Sequence, residues 1–271
     1  GTLSTISSAD SGVTWTGIFT PTDNIEDASN VITVETTLTD TAGNAPLASA
    51  STSNYTLDTK EPVISSVTMS DSALLVDETA VLTITFSEAV TGFTNADITL
   101  ENGTLTTISS TDSGVTWAGT FTPTDGIEDG TNVISVGTDL TDSAGNAPAS
   151  GASTSNYSIG TTEPVITITD DTSGTAISDV TYTFTFSESV TGFTAGDITV
   201  SGGSKGTFTT VSVTEYSLVV TPTDSSTTNI TVDVAANVVL DGEGNGNAQA
   251  SQSVQAVDTV EPTISSVTLL D

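Results

Sequence analysis

Carboxylates recur at matched places in this chain. Glu88 directly follows an apolar run, and Glu188 does so again a repeat later. Asp142 and Asn146 lie in Thr141-Asp142-Ser143-Ala144-Gly145-Asn146, with Asp40 and Asn44 as earlier counterparts and Asp241 and Asn245 as later ones. Asp97 and Asp197 each precede an isoleucine, and Glu61 and Glu163 each precede a proline. Asp23, Glu26 and Asp27 form one acidic loop and Asp125, Glu128 and Asp129 another. Carboxylates within about 5 Å of one another repel, each pair costing about 1 to 3 kcal/mol when partly screened, so such groups splay unless a cation joins them. Calcium takes six to eight oxygen ligands in irregular geometry, whereas zinc and copper favour the His and Cys this chain lacks. Ca2+ is therefore the expected ion. The first expected ligand set is Glu61, Glu88, Asp97, Asp142 and Asn146 with Asp23, Glu26 and Asp27 from the preceding copy. The second is Glu163, Glu188, Asp197, Asp241 and Asn245 with Asp125, Glu128 and Asp129; Asp40 and Asn44 of the first copy are expected ligands as well.

Each group also has a plainer reading. Asp142 and Asn146 could make Asx turns around Gly145, Glu88 could be a solvated strand end, and Asp97 could accept hydrogen bonds from its own turn. Asp125, Glu128 and Asp129 could be an acidic solvated loop; in the third copy that loop is Thr223-Asp224-Ser225-Ser226-Thr227-Thr228, which keeps only one acid. Trp15 and Trp117, each followed by Phe four residues on, could stack sugars. As half-buried cross-strand residues they make more sense, because Tyr216 and Leu218 replace them in the third copy. Four glycosylation sequons, at Asn54, Asn102, Asn156 and Asn229, are expected by chance in so Ser/Thr-rich a chain.

The elements that must position these acids follow from a repeat. Residues 1 to 59 and 103 to 161 run in step at an offset of 102, and a diverged third copy carries Phe186-Ser187-Glu188 against Phe86-Ser87-Glu88. Glu-Pro pairs at 61, 163 and 261 set a unit of about a hundred residues, the size of a small all-β domain. The predicted divisions are 1–60, the C-terminal part of a repeat; 61–161 and 162–260, complete repeats; and 261–271, the first strand of another. The chain then reads as an excerpt of a longer array. Period-two alternation with β-branched residues predicts strands at 63–69, 79–86, 96–100, 104–110, 115–122, 132–138 and 153–159, with Asn102-Gly103 as a hairpin turn and no helix. Seven short strands per unit predict tandem β-sandwiches arranged end to end, with the acidic loops of one meeting those of the next.

Composition narrows the partners. With 34 acidic residues against two lysines the net charge is −32, which removes nucleic acid and anionic membrane surfaces from consideration and leaves cations. There is no cysteine, hence no disulfide and no thiol nucleophile, and no apolar run long enough to insert in a membrane.

The strings Leu82-Thr83-Ile84-Thr85-Phe86-Ser87-Glu88-Ala89-Val90-Thr91-Gly92-Phe93, Phe121-Thr122-Pro123-Thr124 and Leu140 to Asn146 resemble the bacterial Ig-like repeats of large secreted surface proteins, among them biofilm-associated and RTX-type adhesins. The resemblance implies an all-β, seven-stranded Ig-like fold in tandem, an extracellular stalk often stiffened by calcium near its junctions, and adhesive specificity carried by other domains. The expected function is a non-catalytic extender segment of a secreted or cell-surface adhesin, with neighbouring repeats of the same chain as partners. The alternative is a building block that joins other copies of itself in a filament or sheath. A hydrolase is the third class; its paired carboxylates would have to work from turns that recur in every unit.

Overall fold

Threonines alternate with large apolar residues along Val180–Phe186, and only a strand puts each kind on its own face. Val180, Tyr182, Phe184 and Phe186 are buried, while the threonines between them are not. The computed structural model describes residues 1–269; Leu270 and Asp271, the end of the strand predicted over 261–271, lie outside the described residues. It is all-β. Among the described residues the only helices are two three-residue 3-10 turns, Asn95–Asp97 and Ala195–Asp197.

The chain forms two compact units, and the repeat from 61 to 161 contributes segments to both. One unit comprises Gly1–Ser70, Ala80–Phe121 and Val133–Ser155, the other Asp71–Thr79, Thr122–Asn132 and Asn156 onward.

In the second unit the third repeat is a sandwich of four strands and three. Ile166–Asp170, Val180–Phe186, Glu215–Pro222 and Gly203–Thr210 make one sheet in that order; Ile198–Ser201, Ile230–Val234 and Ser253–Gln255 make the other. Their inner faces bury Tyr182, Phe184, Leu218, Val220, Ile230, Val232 and Val234. Phe193 meets Phe186 and Tyr216 edge to face at 5.1 and 5.0 Å. This unit also holds Glu128–Asn132, Tyr157–Gly160 and the parallel strand Ala73–Leu74.

In the first unit Ala80–Phe86 lies between Ile64–Met69 and Thr116–Pro123, and Gly103–Leu105 pairs on beyond. Ile98–Thr99, Ser135–Val136 and Ala152–Ser153 form another sheet. The predicted strands 132–138 and 153–159 are each interrupted. Thr154 Oγ1 accepts the Ile134 N–H at 3.1 Å, so a side chain takes the place of a ladder bond there. The predicted Asn102-Gly103 hairpin is a crossover instead. Asn102 has φ 55°, but the strands on either side of the pair belong to different sheets. Thr94 and Asp97 make a capping box that turns 95–97 into a 3-10 helix, and Thr194 with Asp197 repeats it. Alternation counting passes over such a local side-chain bond.

Residues 1–60 form short pairs, Thr2–Leu3 with Phe19–Thr20, Glu26–Asn30 with Tyr55–Asp58, and Thr33–Val34 with Ala50–Ser51. None of these residues is buried. Trp15, expected in or beside a core, is 57% exposed, whereas Trp117 is half-buried 5.5 Å from Phe93. Among the described residues Thr2–Leu3 and Phe19–Thr20 form a sheet of two strands, whereas their counterparts Gly103–Leu105 and Thr116–Pro123 continue into Ala80–Phe86 and Ile64–Met69. Glu261 to Leu269 pairs with nothing and forms no strand, leaving Ile264 87% exposed where Ile64 is 9%.

Candidate metal centre

The acidic turns build themselves first. Asp142 Oδ1 accepts the N–H groups of Ala144, Gly145 and Asn146 at 2.8, 2.7 and 2.9 Å, and Asn146 Nδ2 reaches Asp142 Oδ2 at 2.8 Å. Gly145 sits at φ 97°, which lets the chain fold over the carboxylate. Asp241 repeats the turn with the N–H groups of Glu243, Gly244 and Asn245 and with Asn245 Nδ2 at 2.9 Å. Asp40 and Asn44 make the same turn, exposed and in neither carboxylate cluster.

Two of the three turns meet further carboxylates. In the first unit Glu88, just past the strand Ala80–Phe86, and Asp58, ending Tyr55–Asp58, join Asp142, with an oxygen from each within 4.8 Å of the others. Asn146 Nδ2 also donates to the Asp58 carbonyl at 3.3 Å. Lys60 Nζ lies 3.5 Å from Glu88 Oε1 and 3.6 Å from Glu26 Oε2. Glu88 Oε1 is buried and accepts no hydrogen bond, so this ion pair is its compensation. Glu88 foremost, then Glu26, raises the Lys60 pKa against the effect of desolvation. Burial pushes Asp142 up, but the Asn146 side chain and the turn's N–H groups outweigh it and hold the acid below its usual range.

In the second unit Glu188, Asp241 and Glu243 come within the same 4.8 Å. Glu128 lies near: its Oε1 accepts the Thr162 N–H at 3.1 Å, and a Cβ on Gly160 would be 3.4 Å from its Oε2. Burial raises the Glu188 pKa, with Asp241, Glu128 and Glu243 adding to it. Asn245 Oδ1 accepts the Val76 N–H at 2.9 Å. Lys205, the chain's other lysine, donates to the Ala195 carbonyl and is not in this cluster.

The structure thus gathers Glu88, Asp142 and Asn146 in one place and Glu188, Asp241 and Asn245 in another, with Glu26 and Glu128 at their margins. It leaves the other expected ligands apart. Asp97 and Asp197 are taken up by their capping boxes, at 2.8 Å from the Thr94 and Thr194 N–H groups. Asp27 and Asp129 accept from Ser29 and Thr131 in their own turns. Asp23 and Glu61 line an open groove with Asn24 and Asn146, and Asp125 and Glu163 line another with Asp77 and Thr162. Asp58 and Glu243 were missed. Asp58 ends its strand two residues before Lys60, and Glu243 stands between glycines in an acidic loop; both residues are plain in the sequence.

The donors in both clusters are carboxylate oxygens, hard ligands with no nitrogen or sulfur among them. That fits a calcium-type ion better than any metal wanting nitrogen or sulfur.

The family described as bacterial Ig-like domain matches residues 1–57, 58–159 and 160–257. Solved structures similar to this chain include FdeC, an Escherichia coli adhesin, at 16% identity and TM-score 0.40 over 90% of each chain. The Yersinia pseudotuberculosis adhesin InvE matches at 15% identity and TM-score 0.31, covering 71% of this chain and 58% of that one. Both are too distant to carry argument. No curated protein matches.

Proposed function

Because this chain belongs to the bacterial Ig-like domain family, we propose that it is a non-catalytic, load-bearing segment of a secreted or cell-surface adhesin, stiffened by Ca2+ bound among clustered carboxylates. The observation that carries the calcium part is the cluster of Glu188, Asp241 and Glu243, with Glu128 beside it and no lysine in it, in a chain without arginine or histidine. Its mutual repulsion opposes folding until a cation enters. Three carboxylates offer six oxygens; the Asx turn engages those of Asp241, so backbone carbonyls and water would complete a calcium shell. Among the described residues no helix is long and apolar enough to cross a membrane.

A catalytic reading asks for a carboxylate free to move a proton, and Asp142 and Asp241 are committed to holding their turns. The filament reading asks for an open sheet edge. The edge strand Gly203–Thr210 carries Lys205 and an irregular register between Lys205 and Phe208, both devices that discourage strand addition.

Melting the chain with and without chelator tests the proposal, together with solution scattering. An ion at a hundredfold excess over its Kd adds about 2.7 kcal/mol. For a domain of this size that raises Tm by about 10 °C. A melting curve indifferent to Ca2+ would defeat the calcium part.

A further inference from the structure

The two clusters differ by one residue that changes what each can bind. Counting in step, Glu26 corresponds to Glu128, Glu88 to Glu188, Asp142 to Asp241 and Asn146 to Asn245; Lys60 corresponds to Thr162. Both places gather four acids: Asp58, Glu88, Asp142 and Glu26 in one, Glu188, Asp241, Glu243 and Glu128 in the other. Only the first contains a positive charge. Its ammonium lies 3.5 and 3.6 Å from two of the four carboxylates and faces the buried Glu88 oxygen that no hydrogen bond reaches.

We propose that the Lys60 ammonium stands in for a metal ion in the first cluster, so that of the two only the Glu188–Asp241–Glu243 cluster takes a divalent cation. This rests on the reading of that second cluster as a calcium site. The ammonium is tethered next to the acids it neutralises and needs no free ion to occupy the place, and a divalent ion arriving within about 4 Å meets a like charge. Thr162, its counterpart, supplies only a backbone N–H to Glu128. One junction-type cluster is then indifferent to calcium and its neighbour requires it, so an array with lysine at some repeats and threonine at others would be stiff everywhere in calcium and compliant only at chosen places without it.

Calorimetric titration of the whole chain with Ca2+ alone, on the wild type, Lys60→Met and Thr162→Lys, tests this. Near-ultraviolet circular dichroism verifies the fold. The wild type should bind one ion per chain. Lys60→Met should gain a second, lost again when Glu88→Gln is added, and Thr162→Lys should weaken the original site at least tenfold. Two ions in the wild type, or one in both wild type and Lys60→Met, would overturn the inference while leaving the calcium reading standing. Unchanged affinity in Thr162→Lys would overturn it even if Lys60→Met did not fold. No ion bound by any of the three would bring down both.

Discussion

A Cβ placed on Gly160 would lie 3.1 Å from Glu243 Cγ, so the loop acid Glu243 stands over the position that Asp58 holds one repeat earlier. The third carboxylate of each cluster therefore arrives by a different route. In one it comes from the end of the strand Tyr55–Asp58, in the other from a Gly-Glu-Gly loop across from a glycine. The cluster is kept although its members change places.

That exchange predicts a coupled pair. Gly160→Asp in the calcium-free chain should cost about 1 to 3 kcal/mol, by placing a further charge against Glu243 and Glu128. Glu243→Gly should be close to neutral alone and should rescue it. Chemical denaturation of the four proteins of the cycle should give a coupling of about 1 kcal/mol or more, and strict additivity would refute the exchange.

Glu188→Gln should change sign with the metal. Burial and neighbouring acids raise the Glu188 pKa, so the folded chain holds that proton more tightly than the unfolded one. Its contribution is fully present below the unfolded value of about 4.3 and is lost as pH rises through the higher folded value. In chelator, the wild type should therefore lose stability relative to Glu188→Gln as pH rises from the acid range to neutrality, where the variant should melt higher. In Ca2+ the order should reverse, because the ion needs the ionised acid. Parallel melting series with one order in both media would count against this.

Asp97 serves its own turn, so Asp97→Ala should cost about 0.5 to 2 kcal/mol, the usual loss on removing a cap, and leave Ca2+ affinity as it was. Asp142→Ala removes the centre of an Asx turn as well as a cluster member, and should cost more. A calcium titration in which Asp97→Ala weakens binding tenfold would place that residue at the metal after all.

Trp15 and Trp117 occupy matched sequence positions with opposite surroundings. Trp117→Ala should lose about 1 to 3 kcal/mol, as its contacts with Phe93 and the strand Ala80–Phe86 disappear. Trp15→Ala should shift stability by no more than about 0.5 kcal/mol. Equal losses at the two sites, by urea titration, would mean that residues 1–60 are covered in solution.

Much of the fold was open to reading. The run from Leu82 to Phe86 alternates without a break, and so does Val180–Phe186, and both lie in strands with the expected residues buried. Asp142 and Asn146 were legible as an Asx turn, and they make one, with Asp142 also meeting Asp58 and Glu88. Asp97 makes the bond within its own turn that was its plainer reading. Glu61 lies past the end of that strand and lines a groove with Asn146, while Asp58 at the strand end meets Glu88 and Asp142.

Repetition, charge and the two-residue period are properties of the string of residues, since each arises from the order of side chains along an extended backbone. They were enough for an all-β tandem chain of one family. Which carboxylates meet depends on loops that bring together positions tens of residues apart, Asp58 with Glu88 and Asp142, or Glu128 with Glu188 and Glu243. Coulomb repulsion falls with distance through space and takes no account of separation along the chain, so the placing of Lys60 against one cluster and of none against the other is a matter for the folded molecule alone.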